Sequence, residues 1–191
     1  MRKIISLFKR NYGGDRLVYN EVVPGAEWVI NGEGVATKKF DGTCCMIRDG
    51  ILYKRYTLKK GRKPPQGFEP VTDIDPNTGK RQGWVPVSAE NPSDKWHIKG
   101  LCNTIEISGK LADGTYELCG PNIQGNPECL GRHMLIEHGK WILDGTTSPP
   151  RTFDELREWF IGKDIEGIVW HHPDGRMVKI KKRDFGFRRE E

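Results

Sequence analysis

Residues 165–181 read Ile-Glu-Gly-Ile-Val-Trp-His-His-Pro-Asp-Gly-Arg-Met-Val-Lys-Ile-Lys. Two apolar and β-branched runs, 165–170 and 177–181, flank Pro173-Asp174-Gly175, and Asp-Gly between such runs is a strong short-range signal for an antiparallel hairpin. The second run alternates, so on a strand Lys179 and Lys181 project from one face and Val178 and Ile180 from the other. The same punctuation recurs at Asp49-Gly50, between 43–47 and 51–56, and at Asp113-Gly114, before 115–118. These signals predict an α+β fold of antiparallel sheets with flanking helices.

Two helices are expected. In 152–163, Thr152 and Glu155 have capping-box spacing, Pro149-Pro150 precede them, and Phe153, Leu156, Trp159 and Phe160 form one apolar stripe. A second helix is expected over 94–102, after Pro92. Residues 59–83 are rich in Pro, Gly and Lys and read as a long exposed loop.

The chain has 191 residues, 31 of them Lys or Arg and 26 Asp or Glu, for a formal charge of +5. That total hides an asymmetry. Residues 38–63 hold nine basic and two acidic residues, residues 176–189 hold seven basic and one acidic, and the rest is net acidic. Two basic blocks on an acidic chain point to a localised polyanion site, phosphates or nucleic acid, although two solvated basic faces would give the same count. The length is enough for a core without disulfide staples, and a single domain over 1–191 is expected. The 36 % hydrophobic content, with six Trp, five Tyr and seven Phe, excludes wholesale disorder. No apolar run approaches the roughly 20 residues of a membrane span, and neither a secretory leader nor a membrane partner is expected.

The five cysteines, Cys44, Cys45, Cys102, Cys119 and Cys129, are odd in number and contain no C-x-x-C pair. They read as reduced thiols of an intracellular, cytoplasmic protein. His133, His138, His171 and His172 lack metal-ligand spacing, so no zinc is expected.

The chemistry-bearing stretches come in order: Lys39-Phe40-Asp41-Gly42, then Lys54-Arg55, then Tyr116-Glu117-Leu118, then Glu166-Gly167-Ile168-Val169, then Lys179-Ile180-Lys181. An amine that attacks a phosphorus atom must be neutral, yet at pH 7 only about one ordinary Lys in a few thousand is. Burial, neighbouring cations and a bound metal shift that balance, and Lys38, Lys179 and Lys181 are candidate cations beside Lys39. Glu117 and Glu166 stand between apolar neighbours, where an unpartnered carboxylate is costly; structural pairing with Lys or Arg is the alternative reading of each. Trp170, Met134 and Ile136 are candidate stacking walls of an apolar slot, or ordinary core. No Walker-type phosphate loop is present.

This ordered set resembles the covalent nucleotidyltransferases, the superfamily of ATP-dependent DNA ligases, RNA ligases and mRNA capping enzymes, over about residues 35–187. With Gly83-Trp84-Val85-Pro86-Val87 and Glu117-Leu118-Cys119-Gly120-Pro121-Asn122, it is most similar to the small stand-alone 5′-to-3′ RNA ligases. The resemblance implies a nucleotidyltransferase (adenylation) fold and no appended oligonucleotide-binding barrel. It implies ATP and Mg²⁺ or Mn²⁺ as cofactors, with AMP carried covalently on Lys39. Thr37, Lys38, Gly42, Arg55, Glu117, Glu166, Lys179 and Lys181 are the implied nucleotide-binding residues, and Asp41, Glu117 and Glu166 the implied metal ligands. Lys39, Asp41, Glu117, Glu166, Lys179 and Lys181 carry the chemistry in that reading. Lys54, Arg55, Lys59, Lys60, Lys182 and Arg183 are the expected RNA contacts. The implied reaction joins a 5′-phosphate RNA end to a 3′-hydroxyl end, by a monomer. A DNA ligase, a GTP-using capping guanylyltransferase and a non-catalytic RNA-binding module with a ligase-like fold are the alternatives.

Overall fold

The computed structural model describes residues 4–189. In chain order the elements are β1 (Ile5–Ser6), β2 (Phe8–Arg10), β3 (Val18–Val22), α1 (Glu27–Ile30), β4 (Val35–Lys39), β5 (Thr43–Arg48), β6 (Ile51–Leu58), β7 (Glu69–Pro70) and β8 (Arg81–Pro86). They continue as α2 (Lys95–Ser108), β9 (Gly114–Cys119), β10 (Met134–Glu137), α3 (Phe153–Trp159), β11 (Gly167–His171) and β12 (Met177–Lys181). The expected α+β class with antiparallel sheets is what forms; β1 beside β12 is a parallel pair. No helix among the described residues is long and apolar enough to cross a membrane.

The chain divides into two compact units. Residues 41–138 hold a six-stranded sheet in the order β10-β9-β5-β6-β8-β7. One face of it packs Cys45, Ile47, Leu52, Tyr116, Leu118 and Leu135 into a core that Trp96 and Leu101 of α2 cover. Helix α2 runs six residues beyond the expected 102. The β-branched stretch 103–108 is a weak helix former, and tertiary bonds override that preference: Thr104 Oγ1 accepts the Leu135 N–H at 2.8 Å, and Asn103 donates to the His133 carbonyl at 2.9 Å. The expected loop over 59–83 is interrupted by β7 and ends at 80, because pairing of β6 with β8 continues out to Leu58 and Arg81.

The other unit comprises residues 4–40 and 139–189, with a four-stranded sheet β1-β12-β11-β4 and the β2–β3 hairpin. Its core contains Ala36, Ile168, Trp170, Val178 and Ile180 from the sheet, with Leu156 and Phe160 from the α3 segment. Helix α3 covers less than the expected 152–163; Thr152 is its N-cap residue, as expected, but its hydroxyl donates to the Glu155 carboxylate at 2.5 Å and makes no hydrogen bond to a backbone N–H of the first turn. In the β11–β12 turn, the Arg176 N–H is the main cause that holds Asp174 down to about 2, with the Arg176 and His172 side chains adding to it.

Candidate functional site

Strand alternation decides which side chains of the second unit can act together. Lys39 pairs with Gly167 and Gly167 with Lys181; one step along, Thr37 pairs with Val169 and Val169 with Lys179. Thr37, Lys39, Lys179 and Lys181 therefore share one face, opposite the face that buries Ile168, Trp170, Val178 and Ile180. Trp170 is fully buried in that core, so it is not a wall of a site on the lysine face. Thr37 is buried and its hydroxyl donates to the Val169 carbonyl at 3.1 Å, which makes it part of the frame of the lysine face.

Glu166, 8 % exposed, precedes β11 and joins the two outer lysines. Lys39 Nζ donates to its Oε2 at 2.5 Å, and Lys181 Nζ donates to its Oε1. Gly167 is what leaves room between them. A Cβ there would lie 2.3 Å from the Ile180 carbonyl oxygen, so β11 and β12 could not pair as closely with any other residue. Lys38 leaves its strand on the other side, its ammonium 4.9 Å from the Phe40 ring centre. Lys179 and Lys181 also line a cleft of about 810 Å³ with Ser6, Arg10, Tyr19 and Arg183. That volume is ample for a nucleotide or a polyphosphate.

In the first unit, Asp41 donates its N–H to the Glu128 carboxylate at 3.1 Å, and Gly42 donates its N–H to Glu117 Oε1 at 3.2 Å. A Cβ on Gly42 would lie 2.3 Å from the Leu118 carbonyl oxygen, which accounts for glycine in that position. Glu117, 8 % exposed, is opposite Cys44 on β5, and its Oε2 meets His138 Nε2 at 2.9 Å.

The register also separates Lys54 from Arg55. Cys45 pairs with Lys54 and lies in the core, so Lys54 points to the core face, where its ammonium is bonded to the buried Asp94. Arg55 lies on the Glu117 face, 5.0 Å over the Trp84 ring and bonded to Gln82 at 2.5 Å. Burial lowers the Arg55 pKa from its usual value. Lys59, Lys60 and Arg183 are exposed, as RNA contacts must be. Lys54 and Lys182 depart from that expectation. Lys182 is 1 % exposed, its ammonium donating to the carbonyls of Lys163 at 2.9 Å and Arg189 at 3.2 Å, because the turn after β12 folds it inward.

The family model of RNA ligase 1 matches residues 102–190. Proteins named RNA ligase 1 from Pongo abelii and Danio rerio are 32 % and 31 % identical to this chain, and one from Rattus norvegicus is 27 % identical. Each alignment covers 80 % of this chain and 67 % of the relative. The chain belongs to the RNA ligase 1 family. Within this member of the family, three neighbours of Asp41 and Glu117 have no role in the linear motifs: Glu128, His138 and Cys44. Glu128 lies in an irregular stretch, and its carboxylate accepts the Asp41 N–H. His138 could have been reached by parity alone, since it follows Met134 and Ile136 on the face of β10 that carries Glu117's neighbour.

Proposed function

We propose that this RNA ligase family member is an ATP-dependent RNA ligase that works through a lysyl-AMP on Lys39, its adenylation domain spanning the chain. The observation that carries the reading is the row Lys39–Gly167–Lys181 with Glu166 bonded to both lysines. It supplies a nucleophilic amine on β4, a cation for phosphate oxygens on β12 and, from the residue just before β11, an acceptor for the amine's proton. In the first step Lys39 Nζ bonds to the α-phosphorus of ATP, pyrophosphate leaves, and the amine proton passes to Glu166 or solvent. AMP then moves to a 5′-phosphate RNA end, which restores the lysine. A 3′-hydroxyl finally attacks that 5′-phosphate and releases AMP.

Lys179 and Lys181 hold phosphate oxygens in this reading, with the leaving pyrophosphate toward the cleft they line. Glu117 and Arg55 read the ribose and a phosphate. Glu166 would hold Mg²⁺ in this reading, since it offers two hard, buried carboxylate oxygens. Bound there, the metal neutralises charge on the phosphates. RNA as substrate follows from what the relatives are named.

The test is intact-protein mass spectrometry of the full chain with ATP and Mg²⁺, with GTP in a parallel reaction and peptide mapping of any adduct. The expected result is an AMP-sized gain on Lys39 with ATP only. A GMP adduct moves the reading to capping chemistry, and no adduct with either nucleotide overturns it.

A further inference from the structure

We propose that Cys44, Glu117 and His138 form a binding site for a thiophilic divalent cation, Zn²⁺ above all. The three come from far apart in sequence, so none of the local spacings that mark zinc motifs is present. The sheet of the first unit brings them together. Cys44 on β5 is the cross-strand partner of Glu117 on β9, and His138 follows β10, the strand on the other side of β9, its N–H donating to the Thr115 carbonyl at 3.0 Å. Their donor atoms, one sulfur, one carboxylate oxygen and one ring nitrogen, all lie within 4.8 Å of one another.

The set fits zinc better than magnesium. Bonds of 2.0–2.3 Å in a tetrahedron put neighbouring donors roughly 3.5 Å apart, so small side-chain rotations would close this group on an ion. Sulfur and imidazole suit Zn²⁺, whereas Mg²⁺ takes oxygen almost exclusively. Three protein donors leave the fourth position open to water, as in reactive rather than purely structural zinc sites. The supporting contacts are in place: Thr115 Oγ1 stands 3.0 Å from His138 Nδ1, ready to hold the ring with Nε2 toward the ion, and the Gly42 N–H holds the other oxygen of Glu117. Cys44 rather than Cys45 is the sulfur ligand. Cys45 is fully buried in the core, on the face of β5 opposite to the one that Cys44 shares with Glu117. On binding, the Cys44 thiol gives its proton to solvent. The imidazole gives up its hydrogen bond to Glu117: the Nε2 proton leaves to solvent, Nδ1 takes one and donates it to Thr115 Oγ1, and the freed Nε2 lone pair binds the metal.

One consequence rests on the proposed ligase reading. A Glu117 oxygen bound to zinc is withdrawn from the nucleotide sugar, so zinc acts as a brake on adenylylation.

The experiment uses the full chain and Co²⁺ as a spectroscopic stand-in, without nucleotide. Wild-type protein is expected to bind one equivalent, with a thiolate-to-cobalt charge-transfer band that Zn²⁺ abolishes. Cys44→Ser loses the band, and His138→Gln weakens binding by about tenfold or more. Cys102→Ser/Cys129→Ser, which removes the two exposed thiols, leaves the band unchanged. Absence of a band in wild type overturns the proposal, and so does a band that survives Cys44→Ser and disappears in the surface double variant. Circular dichroism of each variant checks its fold, and His138→Gln carries the test if Cys44→Ser misfolds. The second arm measures AMP uptake with and without Zn²⁺: zinc is expected to suppress it in wild type and not in Cys44→Ser. Unchanged uptake in zinc-loaded wild type overturns the brake. Failure of the ligase reading shows instead as no uptake in any tube, with the cobalt band intact.

Discussion

Lys38 and Lys39 are neighbours of identical chemistry, and β4 sends them to opposite faces of its sheet. Lys39 meets Glu166; Lys38 lies over Phe40. Lys39→Ala is therefore expected to abolish AMP attachment, while Lys38→Ala keeps a substantial part of it, both read by intact mass. The opposite outcome would mean that the reactive face is the wrong one. Glu166→Gln keeps the shape but cannot take a proton from Lys39. A loss of about 100-fold or more in the rate of AMP uptake is expected, the usual span for removing a positioned acid–base group. Gly167→Ala tests the same row through the backbone: its Cβ would meet the Ile180 carbonyl at 2.3 Å, so the variant is expected to lower both thermal stability and AMP uptake. That Lys179 and Lys181 share a face was legible, because a strand has period two and their spacing is two. Glu166's bond to both outer lysines was not legible, since its side chain leaves from the residue before the strand and reaches across a gap that exists only once β4 and β12 flank β11.

At the scale of elements, the buried pair Lys54–Asp94 ties β6 to the start of α2 on the core face of the six-stranded sheet. Asp94 is 1 % exposed and also accepts the Ser88 N–H at 3.1 Å. Burial pushes its carboxyl up, but the Lys54 and Ser88 hydrogen bonds outweigh burial and hold it below the usual carboxylate value. A folded-state value below the unfolded one of about 3.9 gives stability that is full above that value and is lost as pH falls through the folded one. Asp94→Asn is expected to cost about 3 kcal/mol at neutral pH, because Lys54 is left without its carboxylate. That corresponds to a melting temperature lower by about 6–12 °C for a chain of this size. Below about pH 4 the gap between variant and wild type should narrow, which a calorimetric pH series measures. Asp49-Gly50 and Asp174-Gly175 do turn hairpins, since such turns are local, whereas Asp113-Gly114 joins α2 to β9 and turns none. The sequence underestimated α2, whose last turns rest on Thr104 and Asn103 bonds to a strand segment about 30 residues away.

For the molecule as a whole, the charge count pointed to a polyanion site but overstated the cations open to one. Within the two basic blocks, Lys54 is bonded to Asp94, Lys39 and Lys181 to Glu166, Arg48 to Glu69, Arg176 to Asp174 and Arg189 to Asp164, and Lys182 is buried. Composition cannot register this, because pairing depends on which carboxylates the fold brings near. Of the expected RNA contacts, Lys59, Lys60 and Arg183 are the exposed ones. RNA affinity should accordingly fall with salt less steeply than the block charges suggest. Each phosphate contact removed flattens the plot of log affinity against log salt by about 0.7 for a single strand. Lys59→Ala/Lys60→Ala is thus expected to flatten it by about 1.4 and weaken binding at low salt, with AMP uptake retained. Lys54→Met, whose charge faces the core, should leave the slope unchanged. Fluorescence anisotropy with a 5′-phosphorylated single-stranded RNA across a salt series measures both. An unchanged slope in the double variant would move the RNA path away from the 59–80 segment, toward Arg183 and the cleft beside Lys179.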